Sequence, residues 1–124
     1  MRLSSRTLSL TIGLGAVLMS GASLAHHGWS WYTNGDFELT GTIVDAHFGN
    51  PHDRLTLDVD GTHWNVVLST PDRSRRAEFV DSSVEVGDTV TAYGHRHADG
   101  DTLEMKTERL KVGDRLFDLY PRRS

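Results

Sequence analysis

Beyond residue 35 the chain alternates apolar and polar positions with a period of two, the mark of strands with one buried face. Phe37, Leu39 and Ile43 share one parity in a stretch from Asp36 to Phe48 that is rich in Thr, Ile and Val, and Gly41 stands where so long a strand would bend or bulge. Gly49-Asn50-Pro51-His52 interrupts it, since proline brings no N–H to a ladder and the residues before it favour a turn. Leu55, Leu57 and Val59 alternate with Arg54, Thr56 and Asp58; Asp60-Gly61 is a hairpin signal, and Trp64, Val66 and Leu68 continue the inward face on the return strand. Ser69-Thr70-Pro71-Asp72 has the form of a helix entry, with Thr70 as cap and Pro71 in the first position, so a short basic helix or turn is predicted from Arg73 to Phe79. Strands are predicted again over Thr89 to His97, Thr102 to Val112 and Leu116 to Leu119, with turns at 98–101 and Gly113-Asp114 and a tail from Pro121.

Close-spaced strands with one short helix between the third and fourth predict an all-β domain, a small Greek-key β-barrel of the oligonucleotide/oligosaccharide-binding (OB) topology. Its inward residues are few and large, which suits a small barrel, whereas an eight-stranded sandwich is hard to fit into so short a chain.

The first 25 residues have a different pattern. Arg2 and Arg6 precede an apolar run from Leu8 to Met19, and small residues close the segment at Ser23-Leu24-Ala25, the three-part order of a secretory signal. The run is shorter than the roughly 18–20 residues a spanning helix needs, so no transmembrane segment is expected in the mature chain. The expected organisation is a signal peptide at 1–25, a histidine and aromatic arm at 26–35 and the OB-like barrel at 36–124, in a periplasmic or secreted protein.

Composition narrows the function. Beyond position 25 there are eleven basic and seventeen acidic residues, a formal charge of −6, which makes nucleic acid a poor expected partner. With no cysteine, disulfide chemistry, thiolate metal sites and covalent haem drop out. All seven histidines lie after the predicted cleavage point.

Cleavage after Ala25 would leave His26 at the N-terminus, where the α-amine and the ring Nδ1 close one chelate ring on a metal. Amine and imidazole donors suit copper(II) best, then nickel and zinc. His27 is adjacent, and His52 on the proline loop and His47 on the preceding strand are the further candidate ligands; His95 and His97 leave one strand face together as another workable pair. The leading expectation is a non-catalytic module binding copper or a similar ion through His26, His27 and His52. The alternative is a metal-free module in which Trp29, Trp31, Tyr32 and Trp64 meet a glycan, a small molecule or another protein, although packing of Trp29 and Trp31 onto the domain is the plainer reading of those two. Arg73, Arg75 and Arg76 read as a solvated face. Nucleophile-elbow, metalloprotease and phosphate-loop motifs are all lacking, so no catalytic residue and no nucleotide is indicated, and Asp58-Val59-Asp60-Gly61 brings its glycine too early for a calcium loop. An oxidative copper enzyme would need a second ring facing His26.

Several of these residues together resemble a family of small exported bacterial proteins known as a domain of unknown function. The shared features are His26-His27, Gly41-Thr42-Ile43-Val44, Asn50-Pro51-His52, Trp64, Ser69 to Pro71, and Gly87-Asp88-Thr89-Val90-Thr91-Ala92-Tyr93-Gly94. The resemblance spans nearly the whole chain after residue 25; it implies an OB-like barrel and an envelope location, and it brings no activity with it. Phe48 stands where the pattern has tryptophan, and Thr70 separates the usual Ser-Pro pair.

Overall fold

The computed structural model describes residues 28–123, so the expected signal segment and the candidate ligands His26 and His27 lie outside the described residues. Each predicted alternation after residue 35 becomes a strand: β1 is Phe37–His47, β2 Arg54–Val59, β3 Thr62–Val67, β4 Thr89–Arg96, β5 Glu104–Val112 and β6 Arg115–Asp118. One α-helix, α1 at Pro71–Arg76, and a single 3-10 turn at Asp81–Ser83 connect β3 to β4 among the described residues. β1 is antiparallel to both β2 and β4, β2 to β3 and β4 to β5, while β3 runs parallel to β5 through Asn65–Val67 and Glu104–Lys106. That last pairing closes the ring β1-β2-β3-β5-β4, which removes open sheet edges and is the OB arrangement expected from the strand spacing. β6 folds back on β5 outside the ring.

Local chemistry explains the turns. Asp60 and Gly61 both have positive φ, 52° and 86°, the combination that a two-residue hairpin needs to match the twist of its strands. The Asp58 carboxylate accepts the Gly61 N–H at 2.8 Å, so the aspartates of this segment serve a turn. β1 slips register between Ile43 and Asp45, which puts the bulge at Val44 rather than at Gly41. Gly41 serves close approach instead: a Cβ there would lie 2.6 Å from the Asp58 carbonyl oxygen.

Inward side chains of the ring, among them Ile43, Leu55, Leu57, Val66, Val90 and Leu110, form the core. The helix is shorter than predicted and Thr70 makes no side-chain cap bond. It stops at Arg76 because Glu78 turns the chain with φ 63° and drops Phe79 into the core, against Phe48 and Phe117 at ring-centre distances of 5.6 and 5.1 Å. Burial of that ring outweighs one more turn of a short, weakly nucleated helix.

One strand breaks the alternation. Met105, Lys106, Thr107 and Glu108 are buried in succession, so both faces of β5 are covered there. The inner face meets the core, and the outer face meets the arm, which bridges Tyr32 to His97 and hydrogen-bonds Thr33 N–H to Arg96 O and Ala98 N–H to Trp31 O.

Candidate functional site

The arm turns at once, Tyr32 N–H donating to Trp29 O at 3.0 Å, and lays two rings on the charged outer face of β4 and β5. Tyr32 is buried and its hydroxyl donates to Glu104 Oε2 at 2.7 Å; Glu104 Oε1 accepts the Asn65 amide at 2.7 Å. Burial first, then the Glu104 bond, holds the Tyr32 phenol well above its ordinary range.

Trp29 is the centre of the second cluster. Its ring stands edge-on to Tyr120 at 4.9 Å and to His95 at 5.7 Å. The Arg123 guanidinium lies 3.9 Å from the ring centre and Lys106 Nζ 5.2 Å. Tyr120 in turn carries Arg73 at 4.6 Å and Lys106 at 5.6 Å. Burial raises the Tyr120 phenol, and the charges of Arg73 and Arg123 oppose that rise. Two aromatic rings from opposite ends of the described chain thus gather three cations from α1, β5 and the C-terminal tail.

Lys106 is 2% exposed, and among the described residues its ammonium has no hydrogen-bond acceptor. Desolvation pushes its pKa down to about 8; Glu104 opposes the shift while Arg123 and Arg73 add to it. Opposite it in the ladder is His95, also buried. Its Nδ1 faces the Gly35 carbonyl at 2.9 Å and its Nε2 the Glu108 carboxylate at 2.8 Å, and both partners are acceptors. Arg123 Nε reaches the same Glu108 oxygen at 3.4 Å.

His52 follows a cis Asn50–Pro51 peptide in a loop held by Asp53, whose carboxylate accepts Gly49 N–H at 2.9 Å and whose backbone pairs with Leu68 and Ser69. The ring is half-buried, and burial first, then the Lys106 charge, lowers its pKa against the pull of Asp53. A neutral imidazole results, with no hydrogen bond to its nitrogens among the described residues, so a lone pair is left for a ligand. His47 is exposed at the end of β1. His97 takes the Asp99 N–H on Nδ1 at 3.1 Å and packs against Tyr32, so His95 and His97 each have ring nitrogen engaged within the fold. Among the described residues no three His, Asp or Glu side chains are arranged to hold a metal ion.

The three tryptophans occupy three settings. Trp29 is caged as above, Trp31 is 45% exposed beside His97, and Trp64 is buried against Phe37 with Arg96 4.9 Å above its face. Arg75 pairs with Asp72, as a solvated face would allow, but Arg73 turns inward onto Tyr120. Sequence reasoning passed over Lys106, Glu108, Tyr120 and Arg123. Glu104, Lys106 and Glu108 share one parity and read as a solvent face until the arm is seen to cover them. The available signal was the row of aromatics at 29–32, which needs a surface to lie on.

A family model described as a family of unknown function matches residues 15–109. Among curated proteins none matches the chain. Among solved structures the chain is similar to the Stn1–Ten1 complex of S. pombe, with a TM-score of 0.50 and 21% identity over 62% of this chain and 57% of that one. It is also similar to the mitochondrial single-stranded DNA-binding protein Rim1 of S. cerevisiae, with a TM-score of 0.47 and 14% identity over 64% of this chain and 92% of that one. At 21% identity the first of these likenesses is one of fold.

Proposed function

Because the chain belongs to this family of unknown function (DUF6152), we propose its function from its own residues: a non-catalytic binding module that holds a transition-metal ion, copper by the character of the donors, through His26, His27 and His52. The observation that carries the reading is the seating of Trp29. The ring lies 5.2 Å from Lys106 Nζ, and the Lys106 charge is one of the influences that lower the pKa of His52, which supports an arm and a loop that share a neighbour. From Trp29 back to His26 is three residues, a reach of roughly 10 Å when extended. His52 supplies a neutral ring on a loop held by Asp53, and the terminal amine with Nδ1 of His26 would supply a chelate if export proteolysis cuts after Ala25. His47 is a further candidate at the start of the same loop.

The test is a copper titration of the chain beginning at His26 against the same chain carrying one extra residue before it, and against His52→Ala. Each change is expected to weaken binding about tenfold or more, about 1.4 kcal/mol. Equal affinities in all three end the proposal.

Exposure of the Trp31 ring favours a second, metal-free reading, in which the arm presents that ring to a glycan or a protein partner. Binding unaffected by metal stripping and lost in Trp31→Ala would favour it over the first. The acidic balance speaks against nucleic acid under either reading.

A further inference from the structure

Lys106, Arg73 and Arg123 converge on one pair of rings in a chain whose formal charge is −4. Cations drawn together against the net charge repel one another, and Lys106 in addition gives up hydration to sit between aromatic faces. A cation–π contact returns only part of that cost, about 0.5–2 kcal/mol. Carboxylates are the ordinary compensation, and of those nearby Asp118 lines a cleft with Arg73 while Glu104 and Glu108 are drawn on by other groups. Both oxygens of Glu104 accept, from Tyr32 and from Asn65, and Glu108 Oε1 is shared by His95 and Arg123. Among the described residues Lys106 Nζ has no acceptor, and neither does the Arg73 guanidinium.

We propose that this niche, bounded by Trp29 and Tyr120 and furnished by Lys106, Arg73 and Arg123, is a binding site for a phosphate group. Two guanidinium forks and an ammonium present many donors and no acceptor, and a compact oxyanion with several equivalent oxygens can meet donors arriving from three elements at once. A doubly charged ion also offsets the local excess better than a monoanion does. The site uses none of His26, His27 or His52, so it stands whether or not the metal reading does.

The experiment titrates the full chain, freed of metal by dialysis, with sodium phosphate at constant ionic strength, following tryptophan emission and thermal midpoint. Sodium chloride and sodium acetate serve as matched controls. A saturable emission change and a raised midpoint with phosphate are expected, with affinity about tenfold weaker in Arg73→Gln and in Lys106→Met. Arg73 lies on a half-exposed helix face, so Arg73→Gln keeps the fold if Lys106→Met does not. A parallel titration with glycerol phosphate separates the sources: tighter binding assigns a phosphate monoester such as a headgroup, weaker binding the free ion. An equal response to chloride or acetate, or an unaltered phosphate response in Arg73→Gln, overturns the proposal.

Discussion

Trp29 meets Tyr120 edge-on with ring centres 4.9 Å apart, and Arg123 closes over the indole at 3.9 Å, so the two ends of the described chain are tied to each other across β5. Trp29→Ala removes the anchor of the arm and strips the cover from Lys106. The expected loss is about 2–3 kcal/mol of unfolding free energy, from lost area, an aromatic pair and cation–π contacts. Trp31→Ala, at a ring 45% exposed, should cost about 1 kcal/mol or less. Urea unfolding of the two variants checks the contrast, and equal losses would mean that the arm is not held by Trp29.

Gly94 lies close against the β5 backbone, beside the register shift between β4 and β5. A Cβ at this position would lie 1.9 Å from the Lys106 carbonyl oxygen, which is backbone and cannot swing aside. Gly94→Ala is expected to cost about 3 kcal/mol or more, or to prevent folding. Gly35→Ala has open space around it and should stay within about 0.5 kcal/mol. Thermal unfolding of both variants measures the difference.

Lys106 makes stability depend on pH in an unusual direction. Burial lowers its pKa from 10.5 to about 8, so between those values the unfolded chain holds a proton that the folded chain has released. Stability from this group therefore rises as pH climbs from about 8 to 10.5, and below 8 the fold bears the whole cost of the buried charge. Lys106→Met should be more stable than the parent at pH 7, by about 1–3 kcal/mol, and the gap should narrow as pH approaches 10. Above pH 10 the raised phenols of Tyr32 and Tyr120 act oppositely, since the folded state keeps protons that the unfolded state has lost. Denaturant titrations of the two proteins across pH 7–10 read out the narrowing; a constant gap would refute it.

His95 and Glu108 are both about nine-tenths buried and share a 2.8 Å contact. His95→Ala leaves the carboxylate with only the longer Arg123 contact, among the described residues, at an expected cost of about 3 kcal/mol. Glu108→Ala alone leaves a buried ring with one nitrogen unmatched. A double-mutant cycle should return a coupling of at least about 1 kcal/mol, and additive losses would show that the two residues act separately.

Reading the chain as a line of residues worked best where each signal was local. Asp60-Gly61 declares its hairpin through the two positive φ values it tolerates, and Leu55, Leu57 and Val59 declare β2 by parity alone. The same method ran α1 on to Phe79, because nothing local says that the ring at 79 is wanted in the core. It placed the bend at Gly41 when the bulge lies at Val44, since glycine can serve either a bend or a close contact and only the neighbouring strand decides which.

The amino-acid order by itself determined the β class, the strand count, the place of the helix and hence the barrel, because a period of two and the chemistry of turns are properties of neighbouring residues. The surroundings of Lys106 were decided by tertiary structure alone. On its strand it is one more outward charge between Glu104 and Glu108. It becomes a buried, phenol- and indole-faced cation when residues 29–33 and 117–123, remote from it in sequence, fold over the same patch of β5. Desolvation depends on everything packed around a group, and that sum is available only after the chain has closed on itself.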